Sequence, residues 1–172
     1  MRISVSQLLK ESTGATRHYE IDETVDVGDG SYEVRGEIRL VRTGRGMLVE
    51  GTLHTAVEIA CSRCLELFTC PLTLHIEEEY FPTTDIVTGA LLPLPEEPGS
   101  FTIDDRYVLD LTEAIYQYVM LAIPMKPLCR EDCAGICPTC GHNLNQGPCH
   151  CPSQEIDPRW AELGKLTLAN DT

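Results

Sequence analysis

The residues best able to do chemistry in this sequence are its cysteines. Six stand close together: Cys129, Cys133, Cys137, Cys140, Cys149 and Cys151. Within that run, Cys137-Pro138-Thr139-Cys140-Gly141 has the spacing of a metal knuckle. Such a turn aims two thiolates and nearby backbone N–H groups at one point, and the trailing glycine permits the positive φ the turn often needs. Zn²⁺ takes four such ligands as a tetrahedron. Six cysteines exceed one such site, so either four ligate and two are spare, or two ions share bridging sulfurs. Cys137 and Cys140 supply one pair. The second pair is Cys129 with Cys133, or Cys149 with Cys151. His142 and His150 lie beside these cysteines and are expected outside the ligand shell. An all-thiolate shell leaves no open position for water, so the expected zinc is structural and not hydrolytic. The surrounding segment is too short for a core of its own, and metal binding would supply its folding energy.

A second motif, Cys61-Ser62-Arg63-Cys64, falls between two segments of strand character. Its spacing suits a redox pair or half of a metal site. Thioredoxin-type pairs open a helix inside a βαβ pattern, and that context is missing here. Cys70 lies nearby, so Cys61, Cys64 and Cys70 could hold metal with a ligand from elsewhere. A turn with buried thiols is the plainer alternative. Arg63 is a cation fixed inside the turn, suited to phosphate or carboxylate pairing. No Walker loop, dinucleotide fingerprint or nucleophile elbow occurs. His54 and His75 fall in expected strands and read as sheet histidines. The sequence therefore points away from an enzyme and from a small-molecule substrate.

The elements that must position these groups are mostly strands. Tyr32–Leu40 alternates apolar and polar residues in places, and Met47–Ala60 reads as a long returning strand. Gly44-Arg45-Gly46 between them is expected to supply the φ > 0 positions of a hairpin turn. A third strand runs through Leu72, Leu74 and Ile76. The first twenty residues read as a lead-in with a short helical turn at Ser6–Leu9. Residues 82–106, rich in proline and glycine, read as an exposed loop. Ten acids and one base lie between Glu77 and Glu113. That run is either a solubilising segment or a docking site for a basic partner. A helix over about 110–123 follows, with Asp110 as N-cap and Glu113 three residues on. Leu111, Ile115, Tyr118 and Ala122 share its buried stripe, with Val119 beside them. Pro124 stops it. Asp157-Pro158-Arg159-Trp160 signals a last short helix. The expected fold is α+β. An antiparallel β-rich meander or partial barrel over 1–124 is packed by one helix, and a Cys-rich zinc module with a C-terminal helix occupies 125–172.

Composition narrows the function. The chain has 13 basic and 27 acidic residues and a formal net charge of -14. A surface this acidic excludes a non-specific nucleic-acid coat, because phosphates are repelled by most of it. The N-terminus lacks the apolar core of a signal peptide, and no apolar stretch is long enough to span a bilayer. Clustered thiols without a closed disulfide framework fit a reducing compartment. The expectation is a cytoplasmic protein.

Several features in order resemble the YceD family of large ribosomal RNA subunit accumulation proteins. They are Val5-Ser6-Gln7-Leu8-Leu9-Lys10-Glu11, the turn Cys61–Cys64, the helix start Leu109-Asp110-Leu111-Thr112-Glu113, and the run from Pro127 to Asn145. Asp157-Pro158-Arg159-Trp160 matches the usual tail. The resemblance implies a non-enzymatic role in the synthesis, processing or stability of 23S rRNA during large-subunit assembly. It implies a large-subunit precursor as partner, through rRNA or a basic ribosomal protein. It also implies that the Cys61–Cys64 turn is more widely shared than the distal cysteines. On this reading Arg63, Lys126, Arg130 and Arg159 are the candidate RNA-contacting cations. A thiol redox protein using Cys61 and Cys64, or a zinc-bearing adaptor, are the alternatives.

Overall fold

The computed structural model describes residues 1–27, 30–93, 95, 99–152 and 159. Four long strands dominate: β2 (Thr16–Val27), β3 (Gly30–Arg42), β4 (Met47–Ala60) and β5 (Leu67–Pro82). Three short ones, β1 (Arg2–Ser4), β6 (Phe101–Ile103) and β7 (Val108–Asp110), complete a seven-stranded sheet in the order β1-β7-β6-β5-β4-β3-β2. Neighbours are antiparallel, except that β5 and β6 run parallel. The sheet curls into a half-barrel. Helix α1 (Thr112–Ala122) touches both β5 and the edge strand β2, which curling alone allows.

Alternation explains the long strands. In β5, Leu72, Leu74, Ile76 and Tyr80 point inward and are buried, while Thr73, His75 and Glu77 are exposed. In β4 the inward set is Met47, Val49, Leu53, Thr55 and Val57. The outer face carries the ion pairs Arg35–Asp22 and Arg39–Glu50. His54 and His75 sit on it as sheet histidines, each hydrogen-bonded across to a threonine of the neighbouring strand, Thr73 and Thr52. Leu111, Ala114, Ile115 and Val119 are fully buried along α1 and its start, against the concave face. Burying each of the leucine, isoleucine and valine side chains contributes about 1.5–3 kcal/mol of transfer free energy. The Tyr118 hydroxyl fixes the helix to β5 by accepting from the Glu77 amide at 3.2 Å.

Four local expectations change. The lead-in holds β1 and the start of β2, besides a 3-10 turn at Leu8–Lys10. Residues 82–106 include β6 and a bridge between Thr84 and Leu91, while Glu96 and Glu97 of the acidic run lie outside the described residues. Asp110 belongs to β7, with Leu111 at the N-cap position; its carboxylate still accepts from the Thr112 amide at 3.0 Å. Glu113 accepts from Gln117 instead of closing a capping box. Neither Gly44 nor Gly46 takes a positive φ. Gly46 is needed for space, because a Cβ there would run into the Tyr80 carbonyl. The expected helix from Asp157 lies outside the described residues apart from Arg159, which is exposed.

Candidate metal centres

The turn at Cys61 is built by its own backbone. The Cys61 amide donates to the Glu66 carbonyl, and the Leu65 amide to the Cys61 carbonyl, both at 2.9 Å. Leu65 holds φ at 63°, a left-handed backbone that a branched side chain adopts at a cost of about 1–2 kcal/mol. The second knuckle repeats the design with the favoured residue. The Gly141 amide donates to the Cys137 carbonyl at 2.9 Å, and Gly141 has φ 74°. In both knuckles an amide two residues on, Arg63 or Thr139, donates to the first sulfur.

The segment after α1 returns to the first knuckle. The Ser62 amide and hydroxyl both donate to the Pro127 carbonyl at 2.8 Å. Arg63 Nη1 donates to the Glu131 and Cys133 carbonyls at 3.2 and 3.0 Å. These bonds bring four thiols together. Cys61 Sγ lies 3.8 Å from Cys133 Sγ, and Cys64 Sγ 3.7 Å from Cys129 Sγ. The sulfurs of Cys61, Cys64, Cys129 and Cys133 all lie within 4.8 Å of one another. Cys137, Cys140, Cys149 and Cys151 form a second such group. A tetrahedron with metal–sulfur bonds of about 2.3 Å has edges of about 3.8 Å. The thiols are free, and either tetrad could hold a metal ion.

The electrostatics of the tetrads have the same form. Amides of Cys64, Cys129 and Arg63 donate to Cys61 and lower its thiol to about 6. Amides of Cys140 and Thr139 do the same for Cys137, also to about 6. Burial and the neighbouring Cys64 and Cys133 thiols push Cys129 up to about 12. The Cys140 thiol, with burial, pushes Cys151 up to about 12. In each tetrad the leading cysteine is drawn toward the thiolate and another is pushed toward the thiol by crowding; in the first tetrad Cys133 shifts down with Cys61, and Cys64 shifts up with Cys129. A divalent cation at the centre would remove that repulsion and deprotonate all four.

The two tetrads divide the cysteines differently from the sequence expectation. The six distal cysteines form neither one site with two spares nor a bridged pair. Cys129 and Cys133 turn back to Cys61 and Cys64, while Cys149 and Cys151 close with Cys137 and Cys140. Cys129 and Cys133 stand where the turn at Cys61 could take its ligands from elsewhere. Cys70 joins neither group, and its sulfur faces the Pro71 carbonyl. His142 and His150 also stand outside both groups. Of the candidate RNA-contacting cations, Arg63 faces carbonyls and Lys126 is exposed. Arg130 pairs with Asp132 at 3.5 Å and donates to Asn145. The sequence reading missed Asn145 as a functional residue. Its amide Nδ2 donates to Cys133 Sγ at 3.4 Å and lowers that thiol. A run of amide side chains, Asn143, Asn145 and Gln146, between the pairs Cys137/Cys140 and Cys149/Cys151, was the available signal.

A curled, helix-packed sheet joined to two thiol tetrads defines a β-rich protein with candidate metal-staple sites. The chain belongs to the YceD family: the model of the large ribosomal RNA subunit accumulation protein YceD matches residues 49–167. An uncharacterized protein of Mycobacterium tuberculosis is 33% identical over 130 residues, covering 76% of this chain and 60% of the relative. The large ribosomal RNA subunit accumulation protein YCED homolog 1, chloroplastic, of Arabidopsis thaliana is 26% identical over 163 residues, covering 82% and 50%. Its namesake from Zea mays is 29% identical over 170 residues, covering 85% and 53%. The chain thus spans half to three-fifths of the length of these relatives. No solved structure matches it. Among the described residues, no helix is long and apolar enough to cross a membrane.

Proposed function

We propose that this protein is a non-enzymatic factor of large-subunit ribosome assembly that supports the synthesis, processing or stability of 23S rRNA in the cytoplasm. Family membership carries the proposal, since the plant relatives are named for large ribosomal RNA subunit accumulation. The partner is a large-subunit precursor. The sheet over 1–124 and the Cys-rich module over 125–172 offer it two surfaces. With a net charge of -14, the broad surface favours a basic ribosomal protein. Phosphate contact is then confined to the exposed cations Lys126, Arg130 and Arg159, with Arg63 holding the module in place.

Both tetrads suit Zn²⁺, whose preference is four thiolates at these separations, and its role is structural because no ligand position stays open. The lowered Cys61 thiol fits a redox pair as well as a metal ligand. Burial favours the metal: Cys61 is 0% and Cys64 4% exposed, so a disulfide substrate has no path to either sulfur.

Sedimentation of the tagged protein from growing cells tests the main proposal. Co-migration with large-subunit precursors, lost on reversing the charge of Lys126 and Arg130, is the expected result. Migration only as free protein, with normal precursor levels in a deletion strain, overturns it. Zinc at two equivalents per chain, released by chelator, is expected from elemental analysis.

A further inference from the structure

The two tetrads are not independent in space. Cys140 and Cys149, both of the second tetrad, bracket the segment that holds a 3-10 turn at Leu144–Gln146. This turn is fixed from within: Asn143 Oδ1 accepts from the Asn145 amide at 2.9 Å and from Asn145 Nδ2 at 2.7 Å. It is also tied back along the chain, the Leu144 amide donating to the Gly135 carbonyl at 2.9 Å.

From this turn both polar atoms of the Asn145 side chain reach the segment that carries Cys129 and Cys133. Nδ2 donates to Cys133 Sγ at 3.4 Å. Oδ1 accepts from the Ala134 amide at 2.8 Å and from Arg130 Nη2 at 2.6 Å. Its neighbour Gln146 donates to Glu66, two residues past Cys64, at 2.9 Å. The N–H···S bond holds Cys133 Sγ at its corner of the tetrad, as a partner outside the ligand shell orients a ligand for the cation. Closing the second tetrad shortens the free loop that carries Asn145 and so presets this donor.

We infer that Asn145 is a positioning residue that couples the two metal centres, so that filling the Cys137/Cys140/Cys149/Cys151 site tightens metal binding at the Cys61/Cys64/Cys129/Cys133 site. The coupling is reciprocal, as any linkage between two binding equilibria must be. It rests on the proposal that both tetrads take metal.

Asn145→Asp isolates the donor. The carboxylate keeps both acceptor contacts, to Ala134 and Arg130, and loses the N–H bonds to Cys133 and Asn143; because it also sets a negative oxygen against the Cys133 sulfur, the uncharged Asn145→Leu is measured beside it and is expected to abolish the coupling in the same way. The probe is Zn²⁺ on the full reduced chain, challenged with graded chelator. Alkylation and peptide mass spectrometry then read Cys61 and Cys137 separately. In the native chain, Cys149→Ser with Cys151→Ser is expected to expose Cys61 at about 10–100-fold lower chelator concentration. In the Asn145→Asp background the same pair of changes is expected to have no further effect on Cys61. Circular dichroism of the sheet, whose core is separate from the tetrads, verifies that each variant is folded. Retention of metal at Cys61 that ignores the second site, or an equal loss in both backgrounds, overturns the coupling while leaving the metal assignment intact. Zn²⁺ protecting neither cysteine overturns the metal assignment and the coupling with it.

Discussion

Leu65 and Gly141 occupy equivalent places in the two knuckles, each just after the second cysteine, with φ of 63° and 74°. The leucine side chain is 64% exposed, so it gains little from burial to offset its backbone conformation. Leu65→Gly is therefore expected to leave stability unchanged or raise it by about 0.5 kcal/mol, the relief of strain exceeding the added freedom of the unfolded chain. Urea unfolding of the zinc-loaded protein measures it. Tyr80 is buried with a hydroxyl that has no partner among the described residues. Tyr80→Phe is expected to raise stability by up to about 1 kcal/mol, since it removes a desolvated group that makes no bond. A loss of stability in the same assay would reveal a bound water. At Asp110, burial opposes the charge. The Thr112 hydroxyl and amide, the Arg2 guanidinium and the Met1 ammonium outweigh it and hold the carboxyl at about 2. A depressed folded value stabilises above the unfolded value of about 4 and is lost as pH falls below it. Asp110→Asn is expected to cost about 1 kcal/mol at neutral pH, after allowance for solvent screening of a part-exposed group. The difference from the native chain should shrink steadily between pH 4 and about 2.

Elements differ in how plainly the sequence announces them. β4 and the helix stripe of Leu111, Ile115 and Val119 are legible because their periods repeat over several turns or pleats. β1, β6 and β7 are three residues each, too short for any period to form, and exist through their partners. β2 hides its period because Glu23 interrupts the alternation of Tyr19, Ile21 and Val25. The knuckle at Cys137 was legible because its cysteines are close in sequence. The closure of Cys61 with Cys133 was not, since the two are 72 positions apart and only the path of the chain past α1 joins them. That long closure makes a prediction about elements. Chelation is expected to free the segment after α1 and open tryptic cleavage after Arg130, while the sheet, with a separate core, stays resistant. Gel analysis of timed digests with and without chelator reads the difference.

For the whole molecule, charge sets the terms of association. Four thiolates around one divalent cation carry a formal charge of about -2, so metal loading makes an already acidic chain more so. Recruitment to a precursor particle is then expected to weaken steeply with salt through contacts with basic protein, and gradients run at two ionic strengths measure it. The order in which the molecule can be completed follows from the sheet's far edge. β1 pairs with β7, joining Arg2 to Asp110. During synthesis the first strand must wait, unpaired, until the chain beyond Asp110 has left the ribosome. The Cys61 and Cys64 thiols wait longer still, for Cys129 and Cys133. A nascent chain stalled before that point carries an open sheet edge and two unshared sulfurs, and is at its most vulnerable to aggregation and oxidation while still attached to the ribosome that makes it.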